Sequence, residues 1–187
     1  MDRRLSLTSL QATGAISAVD AHLTKLTSRL TGESSPEVHL AMALASQWPQ
    51  RGHVCVDLEK MAPEDLWESQ EMGSPEVDLT LPERTAWVTS LQDSNAIGSS
   101  TDHTPFVLWK DRWVYLRRHW IYEDEVFSRL RTWLTQEQAS SPDPPAEDKQ
   151  ERAVQLAATH PFFILTGGPG TGKTTTVLRI VGHLLSR

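Results

Sequence analysis

The stretch from Gly167 to Thr174 constrains the fold of this chain more than any other part of the sequence. It runs Gly-Gly-Pro-Gly-Thr-Gly-Lys-Thr and fits the pattern G-x-x-x-x-G-K-[ST] at every required position. The apolar residues 162–165 before it are typical of a buried parallel strand, and residues 175–185 after it have apolar side chains at helical spacing. A strand, a glycine-rich loop and a helix in this order predict the first βα unit of a P-loop α/β domain.

This pattern is suited to binding phosphate groups. Its glycines let backbone N–H groups turn toward the phosphates, and the helix N-terminus adds a partial positive charge. Lys173 can then reach the β- and γ-phosphates of a nucleotide, and the Thr174 hydroxyl can ligate Mg²⁺. We therefore predict a nucleotide site rather than a loop without a ligand, with Lys173 and Thr174 as catalytic residues and Thr174 as the metal ligand. The predicted binding residues in the loop are Gly167, Gly168, Pro169, Gly170, Thr171, Gly172, Lys173, Thr174 and Thr175.

Only thirteen residues follow Thr174, too few for the rest of a P-loop enzyme. Such an enzyme also needs an acidic residue on a later strand to hold Mg²⁺ and a group that orients the attacking water. A parallel sheet needs further strands, joined by crossovers of about a dozen residues or more. We therefore expect the chain to be the N-terminal piece of a longer protein, and this piece alone to be inactive in nucleotide hydrolysis.

Composition limits the classes of protein to which the chain can belong. Its 187 residues have room for one full domain and part of another. A net charge of −6 argues against attraction of the whole piece to duplex DNA, and the single Cys55 excludes a disulfide framework. No apolar run approaches the length of a membrane span, and the first residues lack the apolar stretch of a signal peptide. The expected location is the cytoplasm, without a membrane partner.

Apolar periodicity predicts several helices before the loop. A first helix ends near Gly32, and its predicted buried face consists of Ile16, Val19, Leu23, Leu26 and Leu30. A second helix begins with Ser35 as its cap and stops before Pro49. The capping-box spacing of Thr80 and Glu83 predicts a third helix. A helix from about Ile121 to Leu134 has a face that we expect to be buried, formed by Val126, Phe127, Leu130, Trp133 and Leu134.

The strand signals in the same region are short. Alternating residues predict a strand over 53–58, and residues 63–67 predict another short helix. Residues 106–109 and 113–116 predict a β-hairpin, whose turn type stays open because the turn lacks Gly and Asn.

These signals together predict an α+β fold in two domains. Residues 1–134 form an α-rich domain with short strands and a β-hairpin. Residues 135–149 are polar and proline-bearing and predict a linker. Residues 150–187 form a helix and the first βα unit of a truncated P-loop α/β domain.

Three segments are similar to one protein family. The loop through Thr176 has the Gly-Gly-Pro-Gly-Thr-Gly-Lys-Thr-Thr-Thr sequence typical of superfamily 1B helicases. Gln150, ahead of an Ala-rich helix, lies where those helicases have the glutamine that recognises adenine. The segments from Gly52 to Leu58 and from Asp111 to Trp120 are similar to the "GHVC" and "DR-x-YL-x-R-x-W" segments of the RecD N-terminal domain. From about residue 16, the chain resembles the N-terminal third of RecD, the motor subunit of RecBCD helicase–nucleases.

The resemblance implies an ATP-dependent 5′→3′ DNA helicase subunit acting in double-strand-break repair and recombination, with a RecA-like motor domain and with ATP and Mg²⁺ as cofactors. Gln150 would then bind adenine through its amide, whereas the alternative is a solvent-facing glutamine at a helix start. RecC-type and RecB-type subunits are the implied partners, with the first domain docking on the RecC type. DNA contacts would lie mainly in the missing C-terminal part. The nuclease belongs to another subunit of such enzymes, so we predict no nuclease centre in this chain.

Several alternatives stay open at the level of sequence. The chain could be a protein-interaction module with a nucleotide-binding P-loop, or another P-loop ATPase such as an AAA+ protein, and motifs beyond Arg187 would separate these functions. The seven tryptophans fit either core packing or a surface that faces a partner. A group of basic residues near the hairpin fits either a solvated face or phosphate contacts: Lys110, Arg112, Arg117, Arg118, Arg129 and Arg131.

Overall fold

The computed structural model describes residues 6–66, 80–136, 148–160 and 162–186. The helices in these parts are α1 (Leu7–Ala12), α2 (Ala18–Thr31), α3 (Pro36–Gln47), α4 (Arg84–Gln92), α5 (Arg117–Gln136), α6 (Lys149–Thr159) and α7 (Lys173–Leu185), with 3-10 turns at Trp48–Arg51 and Pro63–Leu66. The strands are β1 (Val56–Asp57), β2 (Ile97–Gly98), β3 (Phe106–Trp109) and β4 (Trp113–Leu116). The chain divides into two compact units, Met1–Glu123 and Asp124–Arg187. The predicted α+β class is confirmed.

Polar caps and a glycine set the ends of the first long helices. The Ser17 hydroxyl accepts a hydrogen bond from the Asp20 N–H at 3.3 Å, and the Asp20 carboxylate accepts from the Ser17 N–H at 3.2 Å. This reciprocal capping box begins α2. Gly32, at a φ of 74°, ends it in the left-handed conformation. Ser35 caps α3 by accepting from the Val38 N–H, so the predicted start of this helix is confirmed.

The central element of the first unit is α3. Its buried apolar residues are Val38, Leu40, Ala41, Met42, Ala43, Leu44 and Ala45. A helix that is apolar on all sides is stable only when other elements surround it. Here α2, α4 and β4 pack against it. Trp87 of α4 is 2% exposed, and its indole Nε1 donates to the Glu37 carbonyl at 2.9 Å.

The four strands form a small mixed sheet in the order β1-β4-β3-β2. The hairpin β3–β4 and the pair β1–β4 are antiparallel, whereas β2 pairs parallel to β3. The hairpin was predicted and is confirmed. The strand predicted over 53–58 is wrong in extent, because only Val56 and Asp57 pair with β4. Local alternation gives no information about how far a partner strand reaches.

The structure also defines the hairpin turn, whose type the sequence left open. Lys110 and Asp111 both have positive φ values, 50° and 52°, and the Arg112 N–H donates to the Trp109 carbonyl at 3.2 Å. Two left-handed residues in the centre of the turn are the requirement of type I′. The Lys110 ammonium lies 4.3 Å from the centroid of the Trp109 ring, and the Asp111 carboxylate accepts from Gln92 at 2.8 Å. These contacts stabilise a conformation that glycine or asparagine adopts more readily.

The predicted buried face of α2 is wrong. Val19 and Leu30 are 71% and 76% exposed, Leu26 is 45% exposed and Leu23 is half-buried, while Ile16 is buried but precedes the helix. The face that is buried carries small and polar residues: Asp20, Ala21, Thr24 and Thr27.

Hydrogen bonds and size explain why this polar face lies inside. The Asp20 carboxylate accepts from the Ser17 hydroxyl at 2.5 Å and from the Ser46 hydroxyl of α3 at 2.6 Å. A buried carboxylate with such partners avoids the large cost of an unpaired charge. Small side chains also let two helices approach closely, since the interaxial distance depends on the residues at the contact.

Two further helix predictions need correction. The cap of α4 is Glu83, not Thr80, and the Glu83 carboxylate accepts from the N–H groups of Thr85 and Ala86, both at 3.0 Å. A helix from Thr80 would require a helical Leu81 directly before Pro82, which the proline ring disfavours. The helix predicted from Ile121 begins earlier, because α5 follows β4 directly at Arg117.

The predicted burial of one face of α5 is also wrong. Val126, Phe127, Trp133 and Leu134 are between 40% and 60% exposed, and Leu130 is half-buried. The Trp133 ring stacks on Phe162, with centroids 5.8 Å apart. An amphipathic face becomes buried only where a second element covers it, and the sequence of the helix alone does not show whether one does.

In the second unit, α6 and α7 pack against each other. Asp148 caps α6 by accepting from the Gln150 N–H at 3.0 Å. The strand predicted over 162–165 is not formed, since residues 162–166 lie in neither helix nor strand. A strand requires a hydrogen-bonded neighbour, and the sheet of the described residues lies wholly in the first unit.

Two predictions fall partly outside the described residues. Pro63–Leu66 forms a 3-10 turn, whereas Trp67, the last residue of the predicted short helix, lies outside them. So does most of the predicted linker, residues 137–147. The domain boundaries at 134 and 150 therefore stay predictions. Nowhere in the described ranges is there a helix long and apolar enough to cross a membrane.

Candidate nucleotide-binding site

The loop from Gly167 to Gly172 has the backbone conformation that its glycines permit. Gly170 and Gly172 have φ values of 75° and 76°, in the left-handed region that other residues rarely adopt. Gly172 is also the N-cap of α7. These two positions turn the chain sharply and direct it into the helix that begins at Lys173.

At two of the glycines, an added Cβ atom would meet a neighbouring side chain. A Cβ atom on Gly167 would lie 2.6 Å from the Thr171 hydroxyl. A Cβ atom on Gly172 would lie 2.7 Å from the side-chain nitrogen of Gln150. At either distance the neighbouring side chain would have to move. The loop therefore packs closely on itself and on the side chain of Gln150.

The Lys173 ammonium lies across this loop. Its Nζ donates to the carbonyl oxygens of Gly167 and Gly168 at 2.5 and 2.6 Å. The Thr171 hydroxyl donates to the same Gly168 carbonyl at 2.9 Å. The positive charge is thus held over the glycines, where it would neutralise phosphate oxygens bound by the loop.

The start of α7 presents the other groups expected at a phosphate site. The first N–H groups of a helix have no partner within the helix, and its dipole adds positive potential there. Thr174 and Thr175 are exposed at this end. A hydroxyl oxygen is a hard ligand of the kind that Mg²⁺ prefers, so Thr174 fits the predicted metal role. The predicted loop residues, from Gly167 to Thr175, are thus contiguous around one exposed helix end.

Thr176 is a residue that sequence reasoning did not assign. It is 2% exposed, and both its N–H and its hydroxyl donate to the Gly172 carbonyl, at 2.9 and 3.0 Å. It therefore ties the first turn of α7 to the loop. The repeated threonines after Lys173 were a signal of this role, because a Thr hydroxyl commonly bonds a carbonyl one turn earlier.

Gln150 is brought to the loop by the packing of α6 on α7. It is half-buried in the first turn of α6, and its Nε2 is the atom that faces Gly172. The predicted site residues of the two segments, Gln150 and the loop, therefore lie together. An amide at this position can offer one donor and one acceptor to a flat base.

A second residue that the sequence did not identify, Arg179 of α7, lies beside Gln150. Its guanidinium donates to the Gln150 Oε1 at 3.4 Å and to a Glu151 carboxylate oxygen at 2.8 Å. It also lies 3.7 Å from the Asp148 carboxylate. The only sequence signal for this contact is a basic residue on α7 and two acidic residues at the start of α6, its cap Asp148 and Glu151.

Two of the basic residues near the hairpin, Arg112 and Arg117, bind groups within the first unit. Arg112 forms a bidentate pair with Asp57, at 2.8 and 2.7 Å, and also contacts Glu59. Arg117 donates to the backbone carbonyls of Ser99 and Thr104. If these two side chains bound phosphate, they would have to give up their hydrogen bonds and ion pairs within the first unit.

Five tryptophans of the first unit fall into two groups. Trp48 and Trp87 are buried in the first unit. Trp109, Trp113 and Trp120 are half-buried, and the rings of Trp113 and Trp120 lie against Trp109, with centroids 5.1 and 5.3 Å from it. The Tyr115 and Trp120 rings are nearly perpendicular, with their centroids 5.2 Å apart. Both core packing and a partly exposed aromatic cluster are therefore present.

Comparison with protein families identifies both parts of the chain. The family model described as "RecBCD enzyme subunit RecD, N-terminal domain" matches residues 12–115. A model described as an AAA domain matches residues 150–187, which contain Gln150, the loop and α7. The two matches therefore correspond to separate parts of the sequence.

Similar curated proteins have the same description, "RecBCD enzyme subunit RecD". That of Mycobacterium tuberculosis is 35% identical over 174 residues, which cover 90% of this chain and 28% of its relative. That of Mycolicibacterium smegmatis is 31% identical over 172 residues, with coverages of 88% and 28%. That of Haemophilus influenzae is 43% identical over 58 residues, with coverages of 31% and 8%. The chain thus spans less than a third of the length of these relatives.

The family match does not depend on the phosphate loop, which many unrelated nucleotide-binding proteins share. It rests on the first unit, with α3, the small sheet and the hairpin. Because the RecD N-terminal model covers more than half of the sequence, from residue 12 to residue 115, this chain belongs to the RecD family of RecBCD enzyme subunits.

Proposed function

We propose that this chain is the N-terminal part of an ATP-dependent 5′→3′ DNA helicase subunit of a RecBCD-type helicase–nuclease that acts in double-strand-break repair and recombination. The observation that carries the proposal is the approach of the Gln150 amide to Gly172 of the phosphate loop, in a chain with a RecD N-terminal domain. A loop alone binds phosphate from many ligands. An amide beside it adds a means of selecting the base.

In this proposal, each part of the site has one task. The loop N–H groups and the start of α7 bind the phosphates of ATP, and Lys173 neutralises the β- and γ-phosphate charge. Thr174 would hold Mg²⁺ through its hydroxyl. Gln150 would accept from and donate to the edge of adenine. The metal's contribution is to neutralise charge that develops on the transferred phosphoryl group.

Partners and domain roles follow from the same proposal. Residues 1–134 would bind a RecC-type subunit, with a RecB-type subunit completing the heterotrimer, and residues 150–187 would begin the motor. The description of the relatives as subunits of an enzyme supports partner binding. DNA would be contacted mainly by the remainder of the subunit, and a role on DNA implies a cytoplasmic protein. We propose no nuclease centre in this chain.

Replacing the loop lysine tests the function directly. Lys173→Ala in the full-length subunit should lower ATP turnover by at least about 100-fold, because a preorganised charge at the phosphates is lost. Thr174→Ala should act in the same direction through Mg²⁺. ATPase assays with and without DNA provide the measurement.

His183→Ala provides a matched control, since His183 is exposed on the same helix but lies at its far end. That variant should retain turnover. A pull-down with the partner subunits should show that Lys173→Ala still assembles. Near-normal turnover by Lys173→Ala would contradict the proposed role, and loss of assembly with intact turnover would instead favour a nucleotide-dependent interaction module.

A further inference from the structure

Arg179 links the helix that follows the phosphate loop to the turn that carries Gln150. Its Nη1 lies 3.4 Å from Gln150 Oε1, and its Nη2 lies 2.8 Å from a Glu151 carboxylate oxygen. Asp148, the cap of α6, accepts from the Gln150 N–H at 3.0 Å and lies 3.7 Å from the guanidinium. One side chain of α7 therefore contacts the cap of α6 and two residues of its first turn.

The base of the Arg179 side chain is held in a fixed place. Thr176 and Ile180, three residues before it and one after it, are the buried residues of α7. Residues three apart on a helix lie on the same side, so Arg179 is at the edge of this buried face. Its guanidinium reaches α6 from a backbone that the helix pair already positions.

An amide that recognises a base must hold its oxygen and nitrogen in a defined plane. Gln150 has several rotatable bonds and lies in the first turn of its helix, so its orientation needs support from a neighbour. Arg179 donates to Oε1, which leaves the second lone pair of that oxygen free for a base. The opposite atom of the amide, Nε2, is directed at Gly172 of the loop.

We propose that Arg179 is a positioning residue for adenine recognition, orienting the Gln150 amide at the edge of the phosphate loop. This inference rests on the proposed role of Gln150 in binding adenine. Arg179 acts through Gln150 and contacts neither the phosphates nor the metal. The planar guanidinium suits this task because it donates in a fixed direction, to an amide and to a carboxylate at once.

A purely structural role would have a different signature. The side chains of Arg179 and Glu151 are 44% and 45% exposed. Exposed ion pairs contribute little to folding stability. Removing Arg179 should therefore leave the fold intact and change the choice of base.

The experiment measures the base preference of the full-length subunit, defined as the ratio of the Kd for GTP to the Kd for ATP. A fluorescent ATP analogue is displaced by ATP, by GTP and by inorganic tripolyphosphate, each with Mg²⁺. Arg179→Ala should lower the base preference about three- to tenfold, the effect of losing one oriented hydrogen bond. Its Kd for tripolyphosphate should change less than about twofold, since the loop and Lys173 are untouched.

A double-mutant cycle shows whether Arg179 works through Gln150. In the Gln150→Ala background, Arg179→Ala should cause no further loss of base preference. Arg179→Lys keeps the positive charge that attracts Glu151 but lacks the planar guanidinium that donates to two groups at once. This variant should fold normally and have a base preference between those of wild type and Arg179→Ala. His183→Ala, on the same helix, should behave as wild type.

The outcomes separate this inference from the function on which it rests. If Gln150→Ala leaves the base preference unchanged, adenine recognition by Gln150 fails, and the role of Arg179 fails with it. If Gln150→Ala lowers the preference and Arg179→Ala does not, only the Arg179 inference is overturned. An equal loss of ATP, GTP and tripolyphosphate binding in Arg179→Ala would also overturn it, because such a loss indicates general disruption of the helix pair.

Discussion

Arg112 is a charged residue near the hairpin that serves the fold of the first unit. Its guanidinium binds both carboxylate oxygens of Asp57, which joins β1 to the turn before β4. It also lies 4.6 Å from the centroid of the Trp113 ring. A bidentate pair is the arrangement in which an arginine contributes most, through two parallel hydrogen bonds. The hydrogen bond from Arg112 lowers the pKa of Asp57 below its ordinary value.

The lowered pKa predicts a pH dependence of stability. The contribution of Asp57 is fully present above its unfolded pKa, about 3.9, and is lost as the pH falls through its lower folded value. Asp57→Asn should therefore be less stable than wild type at pH 7. The difference in free energy of unfolding should shrink below about pH 4 and disappear in stronger acid.

Urea denaturation at a series of pH values would measure this difference. Glu64→Gln is a suitable control, because it removes the same formal charge from an exposed residue of the 3-10 turn at Pro63–Leu66. A constant difference between wild type and Asp57→Asn from pH 7 to pH 2 would contradict the role of the carboxylate charge.

Among the elements, α2 has two faces, each a stripe of residues along the helix, that could pack against the core of the first unit. One carries large apolar residues and is exposed, and the other carries Asp20, Ala21, Thr24 and Thr27 and is buried. The buried stripe fits because α3, which is buried along most of its length, offers Ser46 as a partner for Asp20. The exposed stripe is an apolar surface of the first unit.

Substitution of one residue from each stripe tests this arrangement. Leu30→Gln should change the free energy of unfolding by less than about 0.5 kcal/mol, because Leu30 is 76% exposed and glutamine is also a good helix former. Ala21→Leu should cost about 1–3 kcal/mol, because Ala21 is 1% exposed and the added volume has no space. Urea denaturation of both variants provides the measurement. A loss of 2 kcal/mol or more in Leu30→Gln, with a neutral Ala21→Leu, would support the face predicted from periodicity instead, since that is about the cost of removing a buried leucine.

At the scale of the whole molecule, the apolar core belongs to the first unit. Its largest fully buried residues include Leu10, Leu40, Met42, Trp87, Leu91 and Phe106. In the described part of the second unit, the buried residues are Ala153, Val154, Thr176 and Ile180. Several apolar side chains of α7 are between 46% and 83% exposed: Val177, Leu178, Val181, Leu184 and Leu185. The two units should therefore differ in stability.

Limited proteolysis of the 187-residue chain tests this difference. We expect cleavage in or after the polar segment 135–149, leaving a resistant product that ends near Leu134. We also expect no measurable ATP turnover by this chain, since a loosely held phosphate loop must be ordered at the expense of binding energy. Mass spectrometry of the products locates the cleavage, and an ATPase assay measures turnover. Protection through to Arg187, together with magnesium-dependent turnover, would contradict both expectations.

Local chemistry made much of the molecule predictable. The loop pattern, the caps Ser35 and Gly32 and the hairpin depend on residues close together in sequence, and the structure forms each of them. The position of Gln150 beside the loop was also anticipated, although from resemblance to a family rather than from its neighbours in sequence. The contact of Arg179 with Gln150 was not anticipated, because it depends on how α6 packs on α7.

The sequence by itself determined most of the helical segments, although not α1, and which residues form the phosphate loop, because periodicity, caps and glycine conformations act over a few residues. Only the tertiary structure decided which stripe of α2 is buried, how short β1 is, that β2 pairs parallel to β3 and that the apolar face of α5 stays exposed. These outcomes depend on the shape, size and hydrogen-bonding groups of an element distant in sequence. An amphipathic pattern gives the faces of a helix, and the neighbour that packs on it determines which face is removed from water.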